Sequence, residues 1–177
     1  MQTRRHTIFS GRTFTVPTYI VRLDSTRSHG WQLRLGRWKM YSDHSNDGSG
    51  AARALKEAKE ELALRLARLP AKTGLRTEVS AAKGNDLPLG LSGPHARTRA
   101  DKAGTQYYVQ VTYPVFGGKN VNRSIYVATE NTLNKEKWER ALERAMRLRA
   151  SGVRAFKIAA TKAQREAGEK LKAGRLR

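Results

Sequence analysis

The chain has no cysteine among its 177 residues. Disulfide staples and thiolate metal sites are thereby excluded, so burial and hydrogen bonding must hold the fold. Acids are scarce: 15 Asp and Glu stand against 35 Lys and Arg, leaving a net charge of +20 and a pI near 11.0. A surplus of that size points to a polyanionic partner, either nucleic acid or an anionic membrane surface. Long apolar runs are missing too, and no stretch approaches the roughly 18–20 residues needed to cross a bilayer. The opening Met1-Gln2-Thr3-Arg4-Arg5-His6 has the charge of a signal peptide without its apolar segment. The expectation is a cytoplasmic protein, nucleoid-associated if the cell is bacterial, that docks on nucleic acid and not on a membrane. Hydrophobic residues make up only 38%, low for a globular chain yet enough to build small cores.

What the chain does have is a pattern given twice. Ala54-Leu55-Lys56-Glu57-Ala58 lies in one helical stretch, and Ala141-Leu142-Glu143-Arg144-Ala145 recurs in another. Each follows strand-like runs, residues 31–35 and 38–42 in the first case and 107–113 and 124–128 in the second. Recurrence in the same order implies one supersecondary unit used twice, with a longer connection between strands in the second copy.

Residues 1–18, with Arg4, Arg5 and Arg12 and no acid, read as a basic N-terminal arm with a short strand near 14–16. Residues 19–70 form the first module. Tyr19-Ile20-Val21-Arg22-Leu23 is β-branched and aromatic, Trp31-Gln32-Leu33-Arg34-Leu35 alternates with period two, and a third strand returns from Trp38 to Ser42. Ser49 is the expected N-cap of a helix that places Leu55, Ala58, Leu62, Leu66 and Leu69 on one face before Pro70 ends it. Residues 71–88 read as a linker and 89–150 as the second module. There Val109 and Val111 alternate with Tyr108, Gln110 and Thr112, a Gly117-Gly118 turn follows, and Asn134 is the expected cap of the second helix. Residues 151–177 hold eight basic residues and two acids, a net +6, with a weak apolar stripe. They are expected as a basic tail that frays or orders on a partner. The predicted fold class is α+β: two small modules, each a three-stranded antiparallel sheet packed on one α-helix, flanked by basic tails.

A three-stranded sheet with one helix buries one face. If the helix stripe covers Leu33 and Leu35, period two sends Gln32 and Arg34 to the open face. If it covers Val109 and Val111, the open face receives Tyr108, Gln110 and Thr112. Arg can bridge guanine O6 and N7, Gln can pair with adenine, and a sheet can enter a major groove as a helix can.

These segments resemble the Apetala/ethylene-response-factor DNA-binding domain, in its divergent bacterial and phage form. The likeness rests on Tyr19-Ile20-Val21-Arg22, on Gly30-Trp31-Gln32-Leu33-Arg34-Leu35, on Tyr41-Ser42-Asp43 and on Ala54-Leu55 with Ala58. It extends more weakly to 107–111, 124–127 and the second Ala-Leu helix. The resemblance implies DNA contacts from Arg22, from Gln32 and Arg34, and from Arg37 or Lys39 on the third strand. Through the internal repeat it extends these roles to Arg97, Tyr108, Gln110 and Arg123.

Other features read more plainly as structure. Trp31 and Trp138 fall on the buried side, while Trp38 is evenly balanced between core and stacking. Lys56, Lys59, Arg140 and Arg144 alternate with Glu57, Glu60, Glu139 and Glu143, as on a solvated helix face. His6, His29, His44 and His95 lie in separate segments without metal-ligand spacing. The run Asp43-His44-Ser45-Asn46-Asp47 has the composition of a helix-entry loop, and Gly117-Gly118-Lys119 lacks the frame of a phosphate loop. No catalytic residue, metal or cofactor is expected. The favoured expectation is a duplex-DNA-binding transcriptional regulator or accessory factor. The alternatives are an RNA-binding or ribosome-associated protein, and a phage-type adaptor that binds an acidic host protein.

Overall fold

The computed structural model describes residues 1–81, 83–98 and 104–174. Position 82 of the expected linker, positions 99–103 of the expected second module and positions 175–177 of the expected tail lie outside the described residues. Among the described residues the fold is α+β, with eight strands in three antiparallel sheets and two α-helices. Contacts divide the chain into two units: Met1–Lys72 with the segment from Thr161 onward, and Thr73–Ala160.

In the first unit β1 (Thr3–Thr7) and β2 (Thr13–Pro17) pair as a hairpin. A three-stranded sheet follows, ordered β3 (Ile20–Asp24), β4 (His29–Leu33), β5 (Lys39–Ser42), and then α1 (Ala51–Arg68). Arg22 stands opposite Trp31 and Trp31 opposite Tyr41, whereas Val21 stands opposite Gln32 and Gln32 opposite Met40. Directly opposed residues share a face, so Ile20, Arg22, Trp31, Leu33 and Tyr41 point one way and Val21, Gln32 and Met40 the other. Against the first face α1 lays Ala51, Ala54, Leu55, Ala58, Leu62 and Leu66, all buried. Trp31 is fully buried, and its indole N–H donates to the Ala51 carbonyl at 2.9 Å.

The expected N-terminal arm is instead part of this core. Ile8 and Val16 are buried, and His6 and Phe14 meet the Trp31 ring edge-on at 5.8 and 5.7 Å. Threonine and other β-branched residues favour these strands, while interspersed arginines disguise their alternation. One of them, Arg4, donates to the Ile20 carbonyl at 3.1 Å. Ser49 is not the cap of α1. That position falls to Gly50, which makes no side-chain cap bond, and the Ser49 N–H goes to the Asp47 carboxylate at 2.9 Å.

The second helix, α2 (Lys135–Lys172), runs through most of the expected tail. Its residues from Thr161 dock through Gln164, Gly168 and a single leucine, Leu171, too few apolar groups to make a stripe. The last carbonyls of any helix lack intrahelical donors. Here the Gln164 amide donates to the carbonyls of Leu66 and Leu69, at 3.3 and 2.6 Å. Gly168 permits the close approach, since a Cβ there would lie 3.0 Å from the Leu66 side chain.

In the second unit β6 (Leu91–Thr98), β7 (Thr105–Tyr113) and β8 (Val121–Thr129) form an antiparallel sheet in chain order. Leu91, Val109, Val111, Val127 and Ala128 pack against Ala141 and Ala145 of α2, with Trp138, Leu142 and Leu148 partly buried beside them. Asn134 caps α2 as expected, its side-chain oxygen accepting the Lys137 N–H at 2.9 Å.

Arg22 requires a correction. The resemblance assigned it to DNA, but it lies on the helix side with its side chain only 1% exposed. Its guanidinium grips both oxygens of buried Asp43, at 2.9 and 2.5 Å, reaches Asp24 at 2.9 Å, and sits 5.0 Å from the Trp31 ring. Breaking such a pair strands a buried charge, at a cost of about 3–5 kcal/mol, so this arginine is structural. Burial would raise the Asp24 pKa, but hydrogen bonds from Arg22 and His29 outweigh it and hold the carboxyl below its ordinary 3.8. A carboxyl depressed on folding stabilises the fold above its unfolded pKa and loses that contribution as pH falls through the folded one. Wild type should therefore exceed Asp24→Asn in urea midpoint at neutral pH. The gap should hold down to about pH 4 and close below it; a gap that widened on acidification would contradict the assignment.

Candidate nucleic-acid interface

The uncovered face of β3–β5 is built by the same alternation that buries Trp31. Gln32 and Arg34 both lie on it, and the Arg34 Nε donates to the Gln32 side-chain oxygen at 2.7 Å. Met40 stands opposite Gln32. Arg34 is exposed, and Arg37 is exposed in the connection to β5. That connection is anchored from behind: Arg65 of α1 donates to the Leu35 carbonyl at 2.8 Å and also to the Arg37 carbonyl. Trp38 is 67% exposed, so its indole is open to solvent and to any ligand of this face. The even balance drawn from sequence is thus resolved against the core.

Lys39 does not join this face. It stands opposite Leu33, on the helix side, with its ammonium 4.9 Å from the Tyr41 ring. Parity with Tyr41 carried that signal in the sequence.

The uncovered face of β6–β8 is richer in hydrogen-bonding and aromatic groups. His95, Tyr108 and Tyr126 stand opposite one another across three strands, as do Ser92, Gln110 and Ser124. The Arg97 guanidinium lies 4.9 Å from the Tyr108 ring and donates to the Ser124 hydroxyl at 3.0 Å. Tyr108 donates to the Gln106 side chain at 2.6 Å and meets Tyr126 edge-on at 5.7 Å. Thr112 donates to Asn122 at 2.6 Å. Arg97, Tyr108 and Gln110 are therefore brought together. Tyr126, 45% exposed, together with Gln106 and Asn122, completes a surface that the sequence reading left out. Arg123 falls elsewhere: it stands opposite buried Val111 and so points to the helix side.

On the helices, acids pair with arginines one turn away, as in Glu61 with Arg65, Glu136 with Arg140 and Glu143 with Arg147. Among the described residues Arg34, Arg37 and Arg97 have no carboxylate partner; Arg34 and Arg97 bond only neutral groups. Unpaired, solvent-facing guanidiniums beside amides and aromatic rings suit phosphate and base edges.

The loop run from Asp43 to Asp47 is spent on structure. Asp43 holds Arg22, Ser45 accepts the Gly50 N–H at 3.1 Å and Asp47 accepts that of Ser49. Among the described residues no three His, Asp or Glu side chains group in a way that could hold a metal, and no helix is long and apolar enough to cross a membrane. No protein-family model, curated protein or solved structure matches this chain.

The exposure of Trp38 has a direct optical consequence. Iodide should quench a large part of the tryptophan emission, and Trp38→Phe should remove most of the quenchable fraction. Persistence of that fraction in Trp38→Phe would place the accessible indole elsewhere.

Proposed function

We propose that the chain binds duplex DNA through the uncovered faces of its two three-stranded sheets. In this reading β3–β5 with α1 and β6–β8 with α2 are two copies of one sheet-and-helix module. They act as a two-headed regulator or accessory factor of the kind to which the Apetala/ethylene-response-factor resemblance points. One observation carries the reading: in a chain of net charge +20, three exposed arginines free of carboxylates, Arg34, Arg37 and Arg97, stand with amide and aromatic side chains on or beside those two faces. The contact set is Gln32, Arg34, Arg37 and Trp38 in the first unit, and Arg97, Gln106, Tyr108 and Gln110 in the second. Arg22, Lys39 and Arg123 are not in it.

Phosphate neutralisation supplies most of the affinity, and amide and guanidinium contacts to base edges supply a sequence preference. Two linked heads raise avidity where both engage one duplex. The chemistry is recognition, with no bond made or broken. A second reading has its own support: the Tyr108–Tyr126 pair is a stacking platform of the type that takes unpaired RNA bases.

Fluorescence anisotropy on a labelled duplex tests the first reading. Arg34→Ala and Arg97→Ala should each cost about 1–3 kcal/mol, while Lys56→Ala on the helix face costs much less. Affinity should fall about 10³–10⁵-fold between roughly 50 and 200 mM salt if some 6–10 phosphates are engaged. Equal losses from Arg34→Ala and Lys56→Ala would defeat the sheet-face reading. Preference for a single-stranded RNA over the duplex, abolished by Tyr126→Ala, would establish the second reading in its place.

A further inference from the structure

We infer that the second unit holds an anion pocket distinct from its sheet face, built to take the phosphate of a compact phosphorylated ligand. The pocket is a half-open cleft of about 510 Å³ where β7 ends and the chain enters β6, within the size range of small-ligand sites. One wall is α2, whose Arg149, Val153 and Lys157 recur every four residues along one face. Another is the segment 73–77, which contributes Arg76.

Three cations, Arg76, Arg149 and Lys157, line this space, and no carboxylate does. Among the described residues none of the three makes an ion pair or side-chain hydrogen bond, and the Arg149 Nε is buried without an acceptor. A buried cationic donor left unmet is costly, and three like charges around one cavity concentrate a positive potential. An incoming anion relieves both. Thr73, Thr77 and Asn120 add neutral donors around the same space.

Gly90 makes the arrangement possible. It sits at φ +76°, where side chains are disfavoured, and a Cβ there would strike the Arg149 side chain and lie 2.8 Å from the Thr112 carbonyl oxygen. The missing side chain is what lets the guanidinium lie against the sheet end.

The ligand class follows from charge and shape. Arginine's planar fork matches phosphate oxygens, and three cations suit a group carrying more than one negative charge. Duplex backbone phosphodiesters are single charges on a convex ridge, so a concave site fits a terminal phosphate or diphosphate better. That group can belong to a free nucleotide-like molecule or to the 5′-phosphate of a nucleic-acid end.

Calorimetric titration of the full chain with inorganic pyrophosphate at constant ionic strength tests this, with circular dichroism to verify folding of each variant. One saturable site is expected, weakened at least tenfold in Lys157→Gln and in Arg149→Met. It should be unchanged in Arg140→Met, whose arginine pairs with Glu136 on the helix surface, and in Arg34→Ala, so the outcome is independent of duplex binding. Absence of a saturable site, or equal loss in Arg140→Met, overturns the inference. Competing oligonucleotides identify the source: displacement only by the 5′-phosphorylated form assigns a nucleic-acid end, and displacement by neither form assigns a free phosphorylated molecule. Equal displacement by phosphorylated and unphosphorylated oligonucleotides overturns the terminal-phosphate assignment.

Discussion

The first unit is organised around one indole. Trp31 has no solvent exposure; its N–H is fixed to the start of α1 through the Ala51 carbonyl, and its ring is met by His6 and Phe14 from the hairpin and by the Arg22 guanidinium. A side chain of that size, with its single donor satisfied, can point only toward the helix. Its neighbours in the strand have no freedom left, because a one-residue slip would expose the whole apolar set. Gln32 and Arg34 face outward because Trp31, Leu33 and Leu35 face inward. The proposed recognition surface is thus a consequence of packing chemistry on the reverse side of the same strands.

The second unit reaches a similar division with smaller parts. Val109 and Val111 meet Ala141 and Ala145, and the alternate residues of β7 present an amide, a hydroxyl and a phenol outward. The two surfaces differ in chemistry. The first is dominated by guanidinium and an exposed indole; the second joins one guanidinium to two tyrosines and several amides. In the proposed function this difference gives the first unit the larger electrostatic share and the second the greater capacity for hydrogen-bonded discrimination.

Sequence patterning made the open and buried sides of β4 and β7 legible, because period two is a local signal. The same signal places Lys39 and Arg123 on the helix side, since they share parity with Tyr41 and Ile125, whereas family resemblance and internal repeat point them outward. Arg22 was harder to see. A strand arginine reads as exposed unless its partner is known, and Asp43 lies 21 residues away in a loop. The terminal segments are hard to read from sequence for a related reason. In the hairpin, arginines mask the strand pattern, and the C-terminal part of α2 docks through Gln164, Gly168 and one leucine, which produce no hydrophobic stripe. Tyr126 carries a legible signal, because its parity with Ser124 in an alternating strand puts it on the open side.

The central claim is that duplex nucleic acid meets the sheets on the side opposite their helices. Amide and side-chain NMR shifts recorded during titration with a duplex test it most directly. The account predicts perturbations concentrated at Gln32, Arg34, the Trp38 indole, Arg97 and Gln110, with the outward residues of α1 little changed. Perturbations confined to the helices, with the resonances of both open sheet faces unmoved at saturation, would contradict it.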